Sequence, residues 1–147
     1  MNDSSSKASY KVTTGGNSSK ATVEYEKPTG KAAKANTIVI PNTIKVNGVT
    51  CKVTSIKANA FKNNKSLKKL TISKNIKKIG KQAFYNCKSI KTITIKTKKL
   101  TAKNIGKNAF KGISFKATIK VPKGKIKAYK KLFEQKGLSS NIKVVAL

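Results

Sequence analysis

At 147 residues the chain is long enough for one domain or one repeat array, and too short for two ordinary domains with separate cores. Its 34 basic residues are all lysine, against the four acids Asp3, Glu24, Glu26 and Glu134, which leaves a formal net charge of +30. With no Arg, His or Trp and so few, scattered carboxylates, the chain lacks the groups of acid–base catalysis and of hydrolytic metal sites, so no enzyme activity, metal or cofactor is expected. No stretch approaches the length of an apolar membrane span, and the opening MNDSSSKASY has no apolar signal-peptide segment. Neither membrane insertion nor an export signal is therefore read in this chain, although a piece of an exported protein would look the same. Leu, Ile, Val and Phe supply 35 of the 147 residues, few enough at this charge for disorder unless they are patterned.

They are patterned. Residues 1–9 read as a flexible tail. Residues 10–14 and 21–26 alternate apolar and polar around GGNSS, as a hairpin does, and residues 28–35, small and polar, read as a linker. In TIVIPNTIKV, Ile38 and Ile40 share one strand face, and an inserted hairpin then turns at Asn47-Gly48. Next, TSIKANAFKNNKSLKKLTI (54–72) aligns with KKIGKQAFYNCKSIKTITI (77–95). Ile56, Ala60, Phe61, Leu67, Leu70 and Ile72 recur as Ile79, Ala83, Phe84, Ile90, Ile93 and Ile95, each 23 residues on. A third copy follows at an offset of 26, through Ile105, Ala109, Phe110, Ile119 and Val121, after an insertion around 98–102. Ile38 and Ile40 take the places of Leu70 and Ile72 in a partial first copy.

One short unit cannot bury its apolar edge alone, whereas stacked units share a continuous core. In each copy the alternating pair predicts a strand with one face inward, and NAF or QAF predicts a tight helical turn whose Phe plugs the interior. Lys116 stands in the slot of Leu67 and Ile90, so Phe115 or Ala117 must fill the interior there. After Pro122, the spacing of Ile126, Tyr129 and Phe133 predicts a helix with one apolar face, stopped at Gly137. Residues 141–147 predict a last strand with Ile142 and Val144 on one side.

The pattern I-x-x-x-A-F-x-x-C/N-x-x-L-x-x-L-x-I, running from Ile56 to Ile72 and again from Ile79 to Ile95, resembles the BspA-like leucine-rich repeats of bacterial surface proteins. The resemblance implies an α/β fold, a strand-rich right-handed leucine-rich-repeat solenoid in a single domain over 1–147. It would have an N-terminal β-hairpin cap and linker at 10–36, the array at 37–121 and a C-terminal helix-plus-strand cap at 122–147. It also implies an extracellular or bacterial cell-surface protein whose array serves binding or adhesion without catalysis. No ligand residues carry over, because the positions shared with the family are interior.

Stacking the strands sets Thr37 and Val39 beside Lys69 and Thr71, then Thr92 and Thr94, then Thr118 and Lys120, a concave strip of hydroxyls edged by ammonium groups. Such a strip suits a protein or glycan partner on a host or bacterial surface. Against that stands the plainer fact that Thr is a good strand former and that exposed Lys keeps strands from pairing with neighbours. The lysine excess, alongside many Asn and Ile, reads partly as compositional drift. Without Arg, sequence-specific nucleic-acid recognition is disfavoured, while non-specific attraction to polyanions such as teichoic acids, acidic glycans or extracellular DNA follows from charge alone. A cationic structural or wall-associated protein held by charge is thus the alternative, and a monomer is expected. Cys51 and Cys87, 36 residues apart and without C-x-x-C, argue against zinc or a redox dithiol. Cys87 reads as packing, in a slot shared with Asn64 and Ile113, and a bridge to Cys51 is disfavoured; two free thiols suit a reducing setting.

Overall fold

A computed structural model describes residues 2–3, 8–14 and 20–147. In chain order its elements are β1 (Asn2–Asp3), β2 (Ala8–Thr14), β3 (Thr22–Pro28), a 3-10 turn at Gly30–Lys34, β4 (Thr37–Ile40), β5 (Thr43–Val46), β6 (Val49–Ile56), β7 (Lys69–Ile72), β8 (Lys78–Ile79), β9 (Thr92–Ile95), a 3-10 turn at Ala102–Asn104, β10 (Thr118–Val121), α1 (Ile126–Gln135) and β11 (Lys143–Ala146). The strands form two sheets. One is wholly parallel, in the order β11-β10-β9-β7-β4. The other runs β1-β2-β3-β6-β5, with β8 added alongside β6.

The parallel sheet follows from the repeat spacing. Each strand turns alternate residues inward, so Ile38, Leu70, Ile93 and Ile119 lie in one row, and Ile40, Ile72 and Ile95 in the next. All seven are buried, as is Val121 beyond them. A slip of one residue would expose every one of them and bury Thr and Lys instead, which pins the register. The first isoleucine of each copy builds the second sheet along the same axis: Ile56 pairs with Ile79 across β6 and β8, and Ile79 bridges to Ile105.

The AF turns form a third ladder. Backbone N–H groups of Asn59, Phe61 and Asn63 donate to the carbonyls of Lys81, Ala83 and Tyr85, and those of Gln82, Phe84 and Asn86 donate to Lys107, Ala109 and Lys111, at 2.8–3.1 Å. Directing these groups at the next copy requires left-handed backbone on either side of the phenylalanine, at Asn59, Asn63, Gln82, Asn86, Asn108 and Gly112, with φ between 55° and 81°. Asparagine tolerates that region better than most residues. The abundance of Asn that accompanies the lysine excess is to this extent a backbone requirement. Copies also approach closely at Gly80 and Gly106, where a Cβ would fall 2.3 Å from the Ala58 and Lys81 nitrogens.

Through the interior runs a column of rings. Tyr25, Phe61, Phe84, Phe110 and Phe133 follow one another at centroid spacings of 4.7–5.5 Å, with Tyr10 and Tyr129 against the two end rings. The spacing is close to the separation of neighbouring strands in a sheet. Tyr25 comes from the N-terminal hairpin and Phe133 from α1, so both terminal segments contribute a ring to the column.

The hairpins form as the sequence predicts, β2 against β3 and β5 against β6, the latter turning through left-handed Asn47 and Gly48. The GGNSS connection lies outside the described residues. Regular structure reaches further toward the N-terminus than a tail over 1–9 allows, since Asn2–Asp3 pair with β2 and Ala8 and Ser9 belong to that strand. Ala8 is fully buried, which a flexible tail residue would not be. The 28–35 linker contains a 3-10 turn with Ala32 tucked inward. In the third copy Ala117 fills the interior at 2% exposure while Phe115 stands 69% exposed.

Helix α1 buries Tyr129, Leu132 and Phe133 and is followed by left-handed Gly137. The Tyr129 hydroxyl donates to the Thr97 carbonyl at 2.9 Å and accepts from the Leu100 N–H at 3.3 Å. The helix thereby fixes the insertion that lengthens the third copy.

Two substitutions test the register. Phe84→Ala empties a site in the ring column and should cost about 3–5 kcal/mol in denaturant melts, whereas Lys81→Ala, on the exposed side of the same turn, should cost less than about 0.5 kcal/mol. Tyr129→Phe leaves a buried carbonyl and N–H without their partner and should cost about 1–3 kcal/mol in the same assay.

Candidate binding surface

The outward face of the parallel sheet carries the eight candidate residues in two rows. The first runs Thr37, Lys69, Thr92, Thr118 and the second Val39, Thr71, Thr94, Lys120, each member a direct register partner of the next. The strands bring all eight onto one surface. Thr37, Val39, Lys69 and Lys120 are exposed, and Thr71, Thr92, Thr94 and Thr118 are half-buried between neighbours. Strand β11 extends both rows, adding Lys143 beside Thr118 and Val145 beside Lys120. Those two were not picked out from the sequence, although the inward placing of Ile142 and Val144 implies their outward direction. Phe115 was missed as well; its ring stands in solvent just ahead of β10, with Lys116 Nζ 5.9 Å from its centroid.

The five threonine hydroxyls of this face have no hydrogen-bond partner among the described residues. They differ in this from Thr97, whose buried hydroxyl donates to the Ile76 carbonyl at 2.6 Å, and from Thr13 and Thr14, which pair with Thr22. Hydroxyls that can donate and accept, one on each of β4, β7 and β10 and two on β9, match the hydroxyls of a glycan or the amides of an extended chain.

Charge around the face has one sign. No acid occurs between Glu26 and Glu134. Both glutamates of β3 have partners: Glu24 accepts from the Ser55 hydroxyl, and Glu26 takes Lys57 Nζ at 3.0 Å in an ion pair. That hydrogen bond from Lys57 holds the Glu26 carboxyl below the usual range. With no acid between Glu26 and Glu134, the repeats present a continuous positive field.

The cysteines are buried and unbridged. Cys87 Sγ donates to the Phe61 carbonyl at 3.0 Å, and burial pushes its thiol up to about 12. Burial likewise raises the Tyr25 and Tyr129 hydroxyls. These groups stay neutral and pack, and none is poised as a nucleophile.

Six copies of the BspA type leucine rich repeat region match the chain across residues 31–145, and the chain belongs to that family. The match includes α1 and all but the last residue of β11 as well as the AF repeats. Among solved structures, the chain is similar to a leucine rich cell surface protein from Faecalibacterium prausnitzii, with 25% identity and a TM-score of 0.57, over 84% of this chain and 37% of that one. It is also similar in fold to a leucine-rich repeat protein from Bacteroides ovatus, with 18% identity and a TM-score of 0.56, over 96% of this chain and 40% of that one. The chain thus spans less than half the length of either. No curated protein matches it. No helix among the described residues is long and apolar enough to cross a membrane.

The Cys87 thiol makes stability depend on alkaline pH. Its folded value lies above its ordinary 9.0, so the neutral thiol stabilises the fold fully below pH 9, and that contribution is lost as pH rises toward 12. Parent and Cys87→Val should therefore diverge in this window, the parent losing up to about 1.4 kcal/mol more per pH unit in denaturant melts. Parallel curves would refute the assignment.

Proposed function

We propose that this chain is a non-catalytic extracellular binding module of a bacterial surface protein, built as a right-handed solenoid whose terminal hairpin and helix-plus-strand segments act as caps. The concave, outward face of its parallel sheet is the ligand surface, and its partner is a protein or glycan that meets the threonine rows edged by Lys69, Lys120 and Lys143. The observation that carries this reading is the set of five threonine hydroxyls with no hydrogen-bond partner among the described residues, aligned strand to strand on one face. The surface location is supported by the cell-surface description of the Faecalibacterium protein.

A second reading has its own observation. The absence of acids from residue 27 to residue 133 favours a protein held to anionic polymers by charge alone. The two readings differ in what salt and substitution do. Charge-only binding falls log-linearly with salt and declines by similar small steps whichever lysine is neutralised. A dedicated face behaves differently. Changing Thr71, Thr94 and Lys120 together should abolish binding to one ligand on a glycan and host-protein array while leaving heparin affinity within about twofold. Neutralising Lys62, Lys65 and Lys88 on the turn side should leave that ligand's binding unchanged and lower heparin affinity by a few such steps. An outward-face variant that binds every arrayed partner as tightly as the parent overturns the first reading.

A further inference from the structure

We propose that a cleft at the carboxyl ends of β7 and β9 is a site for a compact, multiply charged oxyanion, such as adjacent sulfate or phosphate groups on one or two sugar residues. The proposal does not depend on the threonine rows. The cleft has a volume of about 320 Å³ and is lined by Lys74, Asn75, Lys96, Lys98 and Lys99. That size is at the small end of ligand pockets.

Both walls are fixed from beneath. Lys96 follows β9 directly, and Lys98 and Lys99 open the insertion that changes the repeat spacing from 23 to 26, a segment held at both ends. Within it Thr97 is fully buried and Leu100 is 5% exposed, so residues on either side of Lys98 and Lys99 are anchored in the core. Thr97 Oγ1 accepts from the Lys99 N–H at 3.1 Å while donating to Ile76, and the Tyr129 hydroxyl holds the Thr97 carbonyl and the Leu100 N–H. On the opposite wall the Lys74 N–H donates to Asn42 Oδ1, and Asn75 Nδ2 donates to the Asn42 carbonyl, both at 3.1 Å. Little backbone ordering remains for a ligand to impose, which favours affinity.

Four lysines, and so four like charges, line the cleft, with no carboxylate among its lining residues. Lysine offers donors and point charge without the planar fork of arginine, so the cleft selects charge density over geometry. One phosphodiester carries a single negative charge and leaves most of this repulsion unbalanced. Neighbouring sulfates or a pyrophosphate unit balance it in a small volume. A cleft of similar volume on the turn side, lined by Asn63, Lys65, Asn86 and Lys88, has only two lysines and provides an internal control.

The test is calorimetric titration of the intact chain with a trisulfated heparin disaccharide and, separately, with inorganic pyrophosphate, at about 0.15 M salt where exposed charges are screened beyond about 8 Å. Saturable one-to-one binding is expected. The Lys74→Gln/Lys98→Gln/Lys99→Gln variant should bind at least about tenfold more weakly, and the charge-matched Lys65→Gln/Lys88→Gln/Lys107→Gln variant less than about twofold. The preferred probe assigns the source, sulfated glycan or phosphorylated sugar. Equal losses in the two variants, no saturation in the parent, or equally effective competition per charge by a single-stranded oligonucleotide overturns the site. The outward-face variant at Thr71, Thr94 and Lys120 should keep its disaccharide affinity. If it loses that affinity instead, the anion binds on the sheet and the cleft is refuted while the sheet-face reading stands.

Discussion

Every copy of the repeat has to sit one strand spacing from the next, and the ring column shows how tightly that height is set. Phe61, Phe84 and Phe110 are each sandwiched between two other rings at 4.7–5.5 Å, so a ring has neighbours above and below and little lateral freedom. The sheet rows, the turn ladder and the close approaches at Gly80 and Gly106 all operate at the same height. Packing at this density leaves no room for compromise between them. A side chain at Gly80 would push one copy away from the last, opening the ring contact and the sheet together.

The cost of the composition falls on the surface. Thirty-four lysines with four acids means that folding gathers like charges that an extended chain would keep apart. The fold tolerates this because outward sheet positions and the exposed sides of the turns let the ammonium groups reach water while their methylene stems cover apolar surface. The acids of β3 are placed where they serve the hairpin, Glu26 pairing with Lys57 and Glu24 with Ser55, and leave the repeats uncompensated. Salt should accordingly affect ligand binding far more than core packing.

Much of this was legible from the sequence because burial in a repeat is periodic. The 23-residue spacing placed Ile56, Phe61, Leu70 and Ile72 against their successors, and alternation then decided which residues of each strand face out. What escaped had no period to betray it. Lys116 broke the pattern in the third copy, and sequence could not choose between Phe115 and Ala117; the smaller residue went inside, just ahead of β10, leaving the aromatic ring in solvent. The left-handed role of Asn59, Asn63, Asn86 and Asn108 depends on hydrogen bonds between copies, so the residues looked like mere composition. The lysine cleft joins two different copies and a tyrosine 32 residues beyond the threonine it holds, a relation that spacing alone does not reveal.

The shared ring column also bears on how such a chain grows. Tyr25 and Phe133 offer the adjoining copies the same kind of face that another AF repeat would offer. An interface that reproduces itself accepts duplication: a 23-residue unit inserted in phase between two copies would meet on both sides the partners it was selected to fit. Length then becomes a trait that recombination within the gene can change in single steps. A sheet face that lengthens by whole strands gains area in this way without any change to the core.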